Sequence, residues 1–470
     1  MGKKSKIKAL QKKIGGETAG DSSDEELDDV SVTHTTDERP TTPVRSKAPD
    51  SVSSVSELVE KLTDKRFTTR EAGLDLLIKH FQSSRANSDD LSIEGYQDTI
   101  LTHLQRIVRK PFSAKEGKLC AHLLSLIGLH LGPDEDEFFK NFEKPLRQLV
   151  DGTNPVLQDV RGPALSCLAL LAYICGGVDA GFKIWSYCER ILKEEALAVR
   201  ESDSEHSGSD DDSDDDEQSQ STQSSTERPS SSVSLRSAAA EAWVLLATLR
   251  TPEEVLTHSQ GEGDSILEPL LELLQFHDGT GNNIEVKVTA GKALAFLWEV
   301  ASEAEGGAGA SPTELGTSLC SDPNTVQQIL ETIKQISKDS SKRISKKDRK
   351  EQRAEFRVIE DFVLKGEPPE ESLRMQGAVL ELNSFKELHI VETLRTVLGT
   401  GFHSALRLYP VVKDVLGVEY LTDHMDGAGD DNKVNKGSSA DKTRSNYRKQ
   451  DRKYRQMNAD TMYDAGDYED

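Results

Sequence analysis

The sequence Arg161–Gly177, RGPALSCLALLAYICGG, is the stretch that decides the fold. It begins with a cation and continues with small and apolar residues, so few of its positions suit contact with water. A helix that is apolar around most of its circumference is buried rather than laid on a surface. The stretch therefore predicts a core helix.

The same pattern recurs along the chain. Counted from the leading cation, positions +3, +6, +7, +9 and +10 are small or apolar. They are Ala164, Cys167, Leu168, Leu170 and Leu171 after Arg161; Ala239, Ala242, Trp243, Leu245 and Leu246 after Arg236; and Ala290, Ala293, Leu294, Phe296 and Leu297 after Lys287. Looser copies follow Arg70 and Lys118, and the five starts are 48, 43, 75 and 51 residues apart. A period in the forties with paired helices is typical of HEAT and armadillo solenoids, although a non-repetitive helical bundle stays open as the alternative.

We predict an all-α fold: a HEAT/armadillo-like helical-repeat solenoid with a smaller, mostly helical C-terminal module and disordered tails. Polar, charge-rich stretches set the boundaries because they cannot build a core. The predicted units are a disordered tail over 1–54, a helical-repeat domain over 55–338, a C-terminal module over 339–421 and a disordered tail over 422–470. Inside the repeat domain, 201–234 is predicted to be a disordered acidic insert and 302–322 a loop.

The net charge of −24 is unevenly distributed, so the total says little about partners. Residues 201–217 alone contain ten acidic side chains and no basic one, whereas both ends of the chain carry basic clusters. The simplest interpretation of the acidic run is a solvated loop, and the alternative is a segment that competes with nucleic acid for basic surface.

The sequence contains no motif of a catalytic, nucleotide-binding or metal site. A phosphate-binding loop, HExxH, a CxxC pair and a GxSxG elbow are all missing. We therefore expect no enzyme activity, no cofactor, no metal and no small-molecule substrate.

The five cysteines are odd in number and three lie in apolar runs, which predicts buried reduced thiols. No apolar run suits a signal peptide or a membrane span, so we expect no membrane association and a cytoplasmic and nuclear protein.

Two basic segments are candidates for nucleic-acid contact. The first, residues 342–357, has eight basic and three acidic residues and precedes an apolar pattern at helical spacing. It predicts one helix that docks by its later half and presents cations from its first half. The secondary basic surface that we predict there comprises Lys346, Lys347, Arg349, Lys350 and Arg353. Further on, residues 378–384 alternate weakly and are predicted to be extended.

The second basic segment, residues 433–455, has nine basic and two acidic residues. Four of its arginines fall at i, i+4, i+8 and i+11, on one face of a helix, and tyrosines are interleaved. Cations bind phosphates, and tyrosine or arginine planes stack on bases. The predicted RNA-binding residues are Lys442, Arg444, Tyr447, Arg448, Lys449, Arg452, Lys453, Tyr454 and Arg455. A short isolated helix is marginal in water, so the segment is expected to order only on a partner, or else to remain a solvated tail.

Five stretches together resemble the interferon-related developmental regulator family, and they occur in the order found in that family. They are residues 62–77 (LTDKRFTTREAGLDLL), 115–132 (KEGKLCAHLLSLIGLHLG), 160–171, 347–358 (KDRKEQRAEFRV) and 398–402 (LGTGF). The chain departs from the family pattern at Phe385, where tryptophan is common, and at Ala405–Pro410, where a polar stretch is usual.

The resemblance implies a non-catalytic regulator that binds ribosomes or RNA and is associated with translational repression or ribosome inactivation. Members of the family bind ribosomes that are not translating and occupy their RNA-binding channels. The family is also associated with transcriptional co-regulation, which would make the solenoid a nuclear scaffold for chromatin-modifying complexes. A generic solenoid adaptor is the third hypothesis. The expected partners are the ribosome or RNA, together with proteins that bind the solenoid surface.

Overall fold

Helices make up nearly all of the chain that the computed structural model describes. The described residues are 55–83, 94–133, 135–204, 231–260, 265–276, 284–305, 311–320, 322–338, 345–375 and 378–417. The helices before the first strand are α1 Val55–Thr63, α2 Phe67–Gln82, α3 Gln97–Arg109, α4 Ala114–Leu131, α5 Asp136–Val150, α6 Arg161–Cys175, α7 Gly177–Ser204, α8 Ser231–Ala247, α9 Pro252–Ser259, α10 Leu267–Gln275, α11 Ile284–Ala304, α12 Pro312–Leu319, α13 Pro323–Lys338 and α14 Lys346–Lys365. The strands are β1 Glu371–Met375 and β2 Ala378–Leu382, followed by α15 Phe385–Leu398, α16 Phe402–Leu408 and α17 Pro410–Val415; short 3-10 turns cover Glu94–Tyr96, Pro155–Val160 and Gly399–Gly401.

The helices stack in two layers. In the inner layer, α2, α4, α6, α8, α11 and α14 each contact the next one in that order. The outer layer contains α1, α3, α5, α7, α10 and α13, which pack on the inner helices beside them in sequence. Each repeat thus contributes a helix pair and contacts its neighbours, as a solenoid requires. The predicted all-α, helical-repeat fold is confirmed.

Helix α6 occupies the centre of this stack, as its sequence predicts. It packs against α4, α5, α7 and α8, and the side chains of Ala164, Leu168 and Leu171 have no accessible surface. All five cysteines are free and buried, which confirms the prediction of buried reduced thiols. Burial raises the pKa of Cys167 and Cys175 to about 12, so these thiols remain protonated at neutral pH.

The leading cations of several repeats join neighbouring elements. Arg70 Nε lies 2.6 Å from Glu116 Oε1, an ion pair between α2 and α4 that is almost inaccessible to solvent. Farther along, Arg161 and Arg236 both approach Glu195, at 3.8 and 3.4 Å. Arg70, Arg161 and Arg236 therefore bridge neighbouring helices, a role that their positions in the sequence did not reveal.

Two predicted irregular segments are shorter than expected. Residues 302–322 were expected to be a loop, but α11 runs to Ala304 and α12 occupies Pro312–Leu319. A capping box explains α12: Ser311 and Glu314 satisfy each other's backbone N–H groups, and Pro312 occupies the first turn. At the acidic insert, α7 extends to Ser204 and α8 begins at Ser231, while 205–230 lie outside the described residues, as do 1–54 and 418–470.

The C-terminal elements lie across the inner layer. Strand β2 falls within 378–384, as predicted, and pairs antiparallel with β1, which the sequence pattern did not indicate. Helix α15 then contacts α11, α8 and α4, α16 contacts α2, and α17 contacts α4. We call Phe385–Val415 the brace, because it runs back over the inner layer from α11 towards α2. Among the described residues, no helix combines the length and apolarity needed to cross a bilayer.

Candidate nucleic-acid interface

Helix α14 separates its residues into three faces. The apolar face, with Phe356, Ile359 and Val363, is buried against the neighbouring helices. Asp348, Glu351 and Glu355, spaced by three and four residues, line a cavity on the inner layer. At about 100° per residue, the side opposite these acids carries Lys346, Lys350, Arg353 and Arg357, which we call the basic stripe. The first half of the helix thereby has its acids on the cavity side and its cations on the opposite side.

The basic stripe is accessible to a polyanion. Lys346, Lys350 and Arg357 are exposed, as is the neighbouring Lys347, while Arg349 and Arg353 are half-buried. Ser345 caps the helix by accepting the backbone N–H of Asp348 at 3.2 Å, which fixes the first turn from which the lysines project. Four cations within 12 residues are therefore exposed, and clustered exposed cations attract polyanions such as nucleic acids.

The inner layer supplies the caps at both ends of α15. At its N-terminus, the Glu299 carboxylate of α11 accepts the backbone N–H of Lys386 at 3.1 Å. At its C-terminus, the carbonyl oxygen of Val397 accepts hydrogen bonds from Gln82 Nε2 and His122 Nε2, at 3.1 and 2.7 Å. A carboxyl acceptor at the helix N-terminus and two donors at the C-terminus satisfy backbone groups that would otherwise have no partner. The brace is therefore held by specific polar contacts as well as by its apolar face.

A cavity of about 1040 Å³ lies between α15 and the inner layer. Lys292 of α11 crosses one wall of the cavity, with its Nζ 2.6 Å from Glu392 of α15 and 3.2 Å from Glu355 of α14. His389 Nε2 lies 2.8 Å from the carbonyl oxygen of Glu241, and a carbonyl only accepts, so this nitrogen carries a proton. These contacts join α8, α11, α14 and α15 around one polar interior.

Two groups in this region have strongly shifted pKa values. Burial lowers the pKa of His389 to about 4, so the imidazole is neutral at physiological pH. Desolvation by the surrounding protein and repulsion from the carboxylates of Glu285 and Glu392 raise the pKa of Glu241 to about 7. The Glu241 side chain nevertheless has accessible surface, because it faces water inside the cavity.

Comparison with known proteins assigns the chain to a family. A sequence model of the interferon-related developmental regulator family matches residues 21–364, most of the chain. The chain belongs to the interferon-related developmental regulator family. Interferon-related developmental regulator 2 of Mus musculus is 26% identical over 362 residues, which cover 77% of this chain and 71% of the mouse protein. The crystal structure of an engineered protein matches 65% of this chain and 97% of its own at 18% identity, with a TM-score of only 0.34.

The family motifs contact one another in the structure. Arg70, in the first quoted stretch, forms the buried ion pair with Glu116, in the second. Gly401, in the last stretch, lies against the end of α2 so closely that a Cβ there would overlap the backbone of Gln82. The match to the interferon-related developmental regulator family ends at Leu364, in the last turn of α14, so the brace lies beyond it. As a member of this family, the chain is in general terms a regulator of development or gene expression.

The structure covers one of the two predicted basic segments. Lys346, Lys347, Arg349, Lys350 and Arg353 lie in the first half of α14, the helix that the sequence predicts. The predicted RNA-binding residues Lys442–Arg455 lie outside the described residues. Within the part that the structure describes, no group of three or more histidine, cysteine or acidic side chains is arranged to hold a metal ion.

The polar residues of the inner cavity were missed at the sequence level. Ser166, Glu241 and Lys292 each occupy position +5 after the leading cation of their repeats, and all three line the cavity. A polar residue at the same position of otherwise apolar helices indicates a second contact surface. This regularity is the signal that predicts a partner lying across the inner layer.

Proposed function

We propose that this chain is a non-catalytic regulator of gene expression that binds ribosomes or RNA, repressing translation or holding ribosomes inactive. The repeat layers would form the rigid body, and the basic stripe and residues 433–455 would contact phosphates. The main support is the charge separation on α14, which leaves Lys346, Lys350 and Arg357 exposed on a chain of net charge −24. A chain with this net charge needs concentrated cations to approach RNA.

Sedimentation with ribosomes tests this function. Deletion of 433–470 and the triple variant Lys346→Glu, Lys350→Glu, Arg357→Glu should each reduce the fraction that co-sediments at low salt. The matched control is Lys65→Glu, Lys110→Glu, Lys144→Glu, which makes the same charge change at exposed lysines elsewhere. The control should co-sediment like the unmodified chain. Equal losses for both triple variants would reduce the effect to net charge, and unchanged sedimentation of all variants would refute the proposal.

A nuclear scaffold for transcriptional complexes is the second candidate function. Val178 is 73% exposed, and Phe182 and Leu249 lie nearby with 49% and 44% exposure, forming an apolar patch on the outside of the stack. Contiguous exposed apolar surface is characteristic of protein–protein contact sites. Capture of partners with and without ribonuclease separates the candidates: partners lost with ribonuclease support the RNA function, and partners that Phe182→Ser removes support the scaffold. We propose that both the cytoplasm and the nucleus contain the protein.

A further inference from the structure

The cavity beneath α15 has more negative than positive charge. Its lining includes six carboxylates and three cations. All three cations already have partners: Lys118 lies 3.4 Å from Asp159, Lys292 bridges Glu355 and Glu392, and Arg395 lies 2.7 Å from Glu371. The other four acids of the lining have no ion-pair partner among the described residues; they are Glu241, Glu285, Asp348 and Glu351.

The remaining lining suits the stem and head of a long cationic side chain. Ala169, Ala238 and Val288 provide small apolar surface between the acids. Ser237 also lines the cavity, is only 1% exposed, and its hydroxyl has no hydrogen-bond partner. A buried hydroxyl without a partner is costly, so it is a second sign that the cavity lacks a polar occupant. Guanidinium groups satisfy carboxylates with paired hydrogen bonds, and their alkyl stems pack on apolar walls.

We propose that this cavity binds the chain's own basic segment, residues 433–455, and that RNA competes with the cavity for the same cations. The segment has a net charge of +7 and four arginines on one helical face, which complements a wall of unpaired acids. The N-terminal basic cluster has six lysines before residue 14 and no arginine, so it matches the carboxylates less well. The acidic run 201–217 has the same sign as the cavity and is repelled by it.

The connection between brace and tail permits this contact. Helix α17 ends at Val415 against α4, and Lys118 and His122 of α4 line the cavity. Lys442 lies 27 positions after Val415, and the chain between them can reach at most roughly 90 Å. The lining runs from α4 through α6, α8 and α11 to α14, and at about 8–10 Å between neighbouring helices it spans about 40 Å at most, so this reach is roughly twice the span of the cavity. Tethering raises the local concentration of the segment, which favours binding within the chain.

The inference rests on the proposed function, because it makes the cavity compete with RNA for the RNA-binding segment. It implies an autoinhibited protein: occupation of the cavity lowers the apparent affinity for RNA, and removal of the acids raises it. The two sites are then coupled through one shared segment, and the coupling must act in both directions.

The test uses the full chain with Glu285→Gln and Glu351→Gln, two exposed acids at the cavity whose carboxylates accept no hydrogen bond among the described residues. The matched control is Glu137→Gln with Glu268→Gln, exposed acids on the outer helices α5 and α10. At low salt we expect the cavity variant to bind a single-stranded RNA oligonucleotide roughly fivefold more tightly, or more, and the control less than twofold more tightly. Equal affinities for the two variants would overturn the inference.

Carbodiimide cross-linking of the full chain without RNA provides a second readout. It joins amines to carboxylates in contact, so we expect Lys442, Lys449 or Lys453 linked to Glu285 or Glu351, with these links lost when RNA is added. Tail lysines linked only to 201–217, or cavity acids linked only to the N-terminal lysines, would overturn the inference.

The proposed function is tested separately, by Arg444→Gln, Arg448→Gln, Arg452→Gln and Arg455→Gln. If this variant binds RNA like the unmodified chain, the RNA function fails while the cross-links still decide whether the cavity holds the tail. If RNA binding falls but the cavity variant behaves like its control, only the autoinhibition fails.

Discussion

His122 on α4 donates a hydrogen bond to the carbonyl oxygen of Val397, in the last turn of α15, across a distance of 2.7 Å. The two residues are 275 positions apart in the chain. Gln82 of α2 donates to the same oxygen at 3.1 Å. One backbone carbonyl of the brace thus joins two consecutive helices of the inner layer, and it shows how the C-terminal elements are fixed in place.

Removal of this shared cap should loosen the brace. His122→Ala or Gln82→Ala alone leaves one donor, so we expect each to lower the free energy of unfolding by about 1 kcal/mol. The double variant leaves the carbonyl without a donor and should lose about 1 kcal/mol more than the sum. Urea unfolding measures these changes, with Gln328→Ala on the exposed side of α13 as the control. Additive losses would show that the two donors act independently.

Gly401 should tolerate no side chain. A Cβ at this position would lie 2.8 Å from the Cα of Gln82 and closer still to its carbonyl oxygen, and backbone cannot move aside as a side chain does. We expect Gly401→Ala to destabilise the protein by about 2 kcal/mol or more and to speed amide exchange in α15 and α16. Gly95→Ala is the control, because nothing lies within 4 Å of its Cβ position. Normal exchange in the Gly401→Ala variant would contradict the close approach.

The cap on the other end of α15 should make stability depend on pH. Burial raises the pKa of Glu299 from 4.5 to about 7, so the folded state holds a proton there that the unfolded state has released. Glu299 therefore contributes fully to the stability of the folded state below pH 4.5, and this contribution is lost as the pH rises through 7. Glu299→Gln keeps an acceptor for Lys386 and removes the charge. We expect it to match the unmodified chain near pH 5 and to be about 2 kcal/mol more stable at pH 8.

Thermal unfolding of Glu299→Gln and of the unmodified chain at pH 5 and pH 8 measures this difference. His389, whose lowered pKa makes stability fall as the pH drops below 6.5, is present in both proteins and cancels in the comparison. If the stability difference between the two proteins is the same at pH 5 and at pH 8, Glu299 ionises normally.

The ion pair between the first two repeats should be important for stability. Glu116 is 1% exposed and also accepts the backbone N–H of Phe112 at 2.8 Å, so Glu116→Ala leaves the Arg70 charge without its carboxylate partner and this N–H without its acceptor. We expect a loss of about 3–5 kcal/mol in urea unfolding. Asp75→Ala breaks the exposed pair with Lys79 and should cost about 0.5 kcal/mol or less. Similar losses for the two variants would contradict the buried role of Arg70.

The sequence predicted the repeat helices well because each repeat carries its own local signal. The pattern after Arg161 fixes a buried helix by itself, and the recurrence after Arg236 and Lys287 fixes the stack. The brace could not be predicted in the same way, because the partners of Val397 and His389 lie 148 to 315 residues away and involve backbone carbonyls. Backbone acceptors leave no trace in side-chain periodicity.

The two parts of the candidate site differ in the same way in how far the sequence could predict them. Spacing in the sequence was sufficient to place Lys346 and Lys350 on one helix with cations outward, since a helix face is a local property. The cavity acids come from different helices: Glu241 from α8, Glu285 from α11 and Glu351 from α14. Their convergence depends on how the repeats stack. The recurrence of a polar residue at position +5 is the sequence signal that could have indicated it.

The central claim is that a few clustered basic residues of an acidic chain bind RNA. The salt dependence of RNA binding tests this claim most directly. The dissociation constant for a single-stranded RNA should be measured from about 50 to 300 mM KCl for the full chain and for the chain lacking 433–470. We predict that the logarithm of the affinity falls linearly with the logarithm of salt concentration, with a slope of about −0.7 for each phosphate contact, and that the deletion makes the slope shallower by several of these contacts. An affinity that does not change with salt, or a slope that the deletion leaves unchanged, would contradict the account.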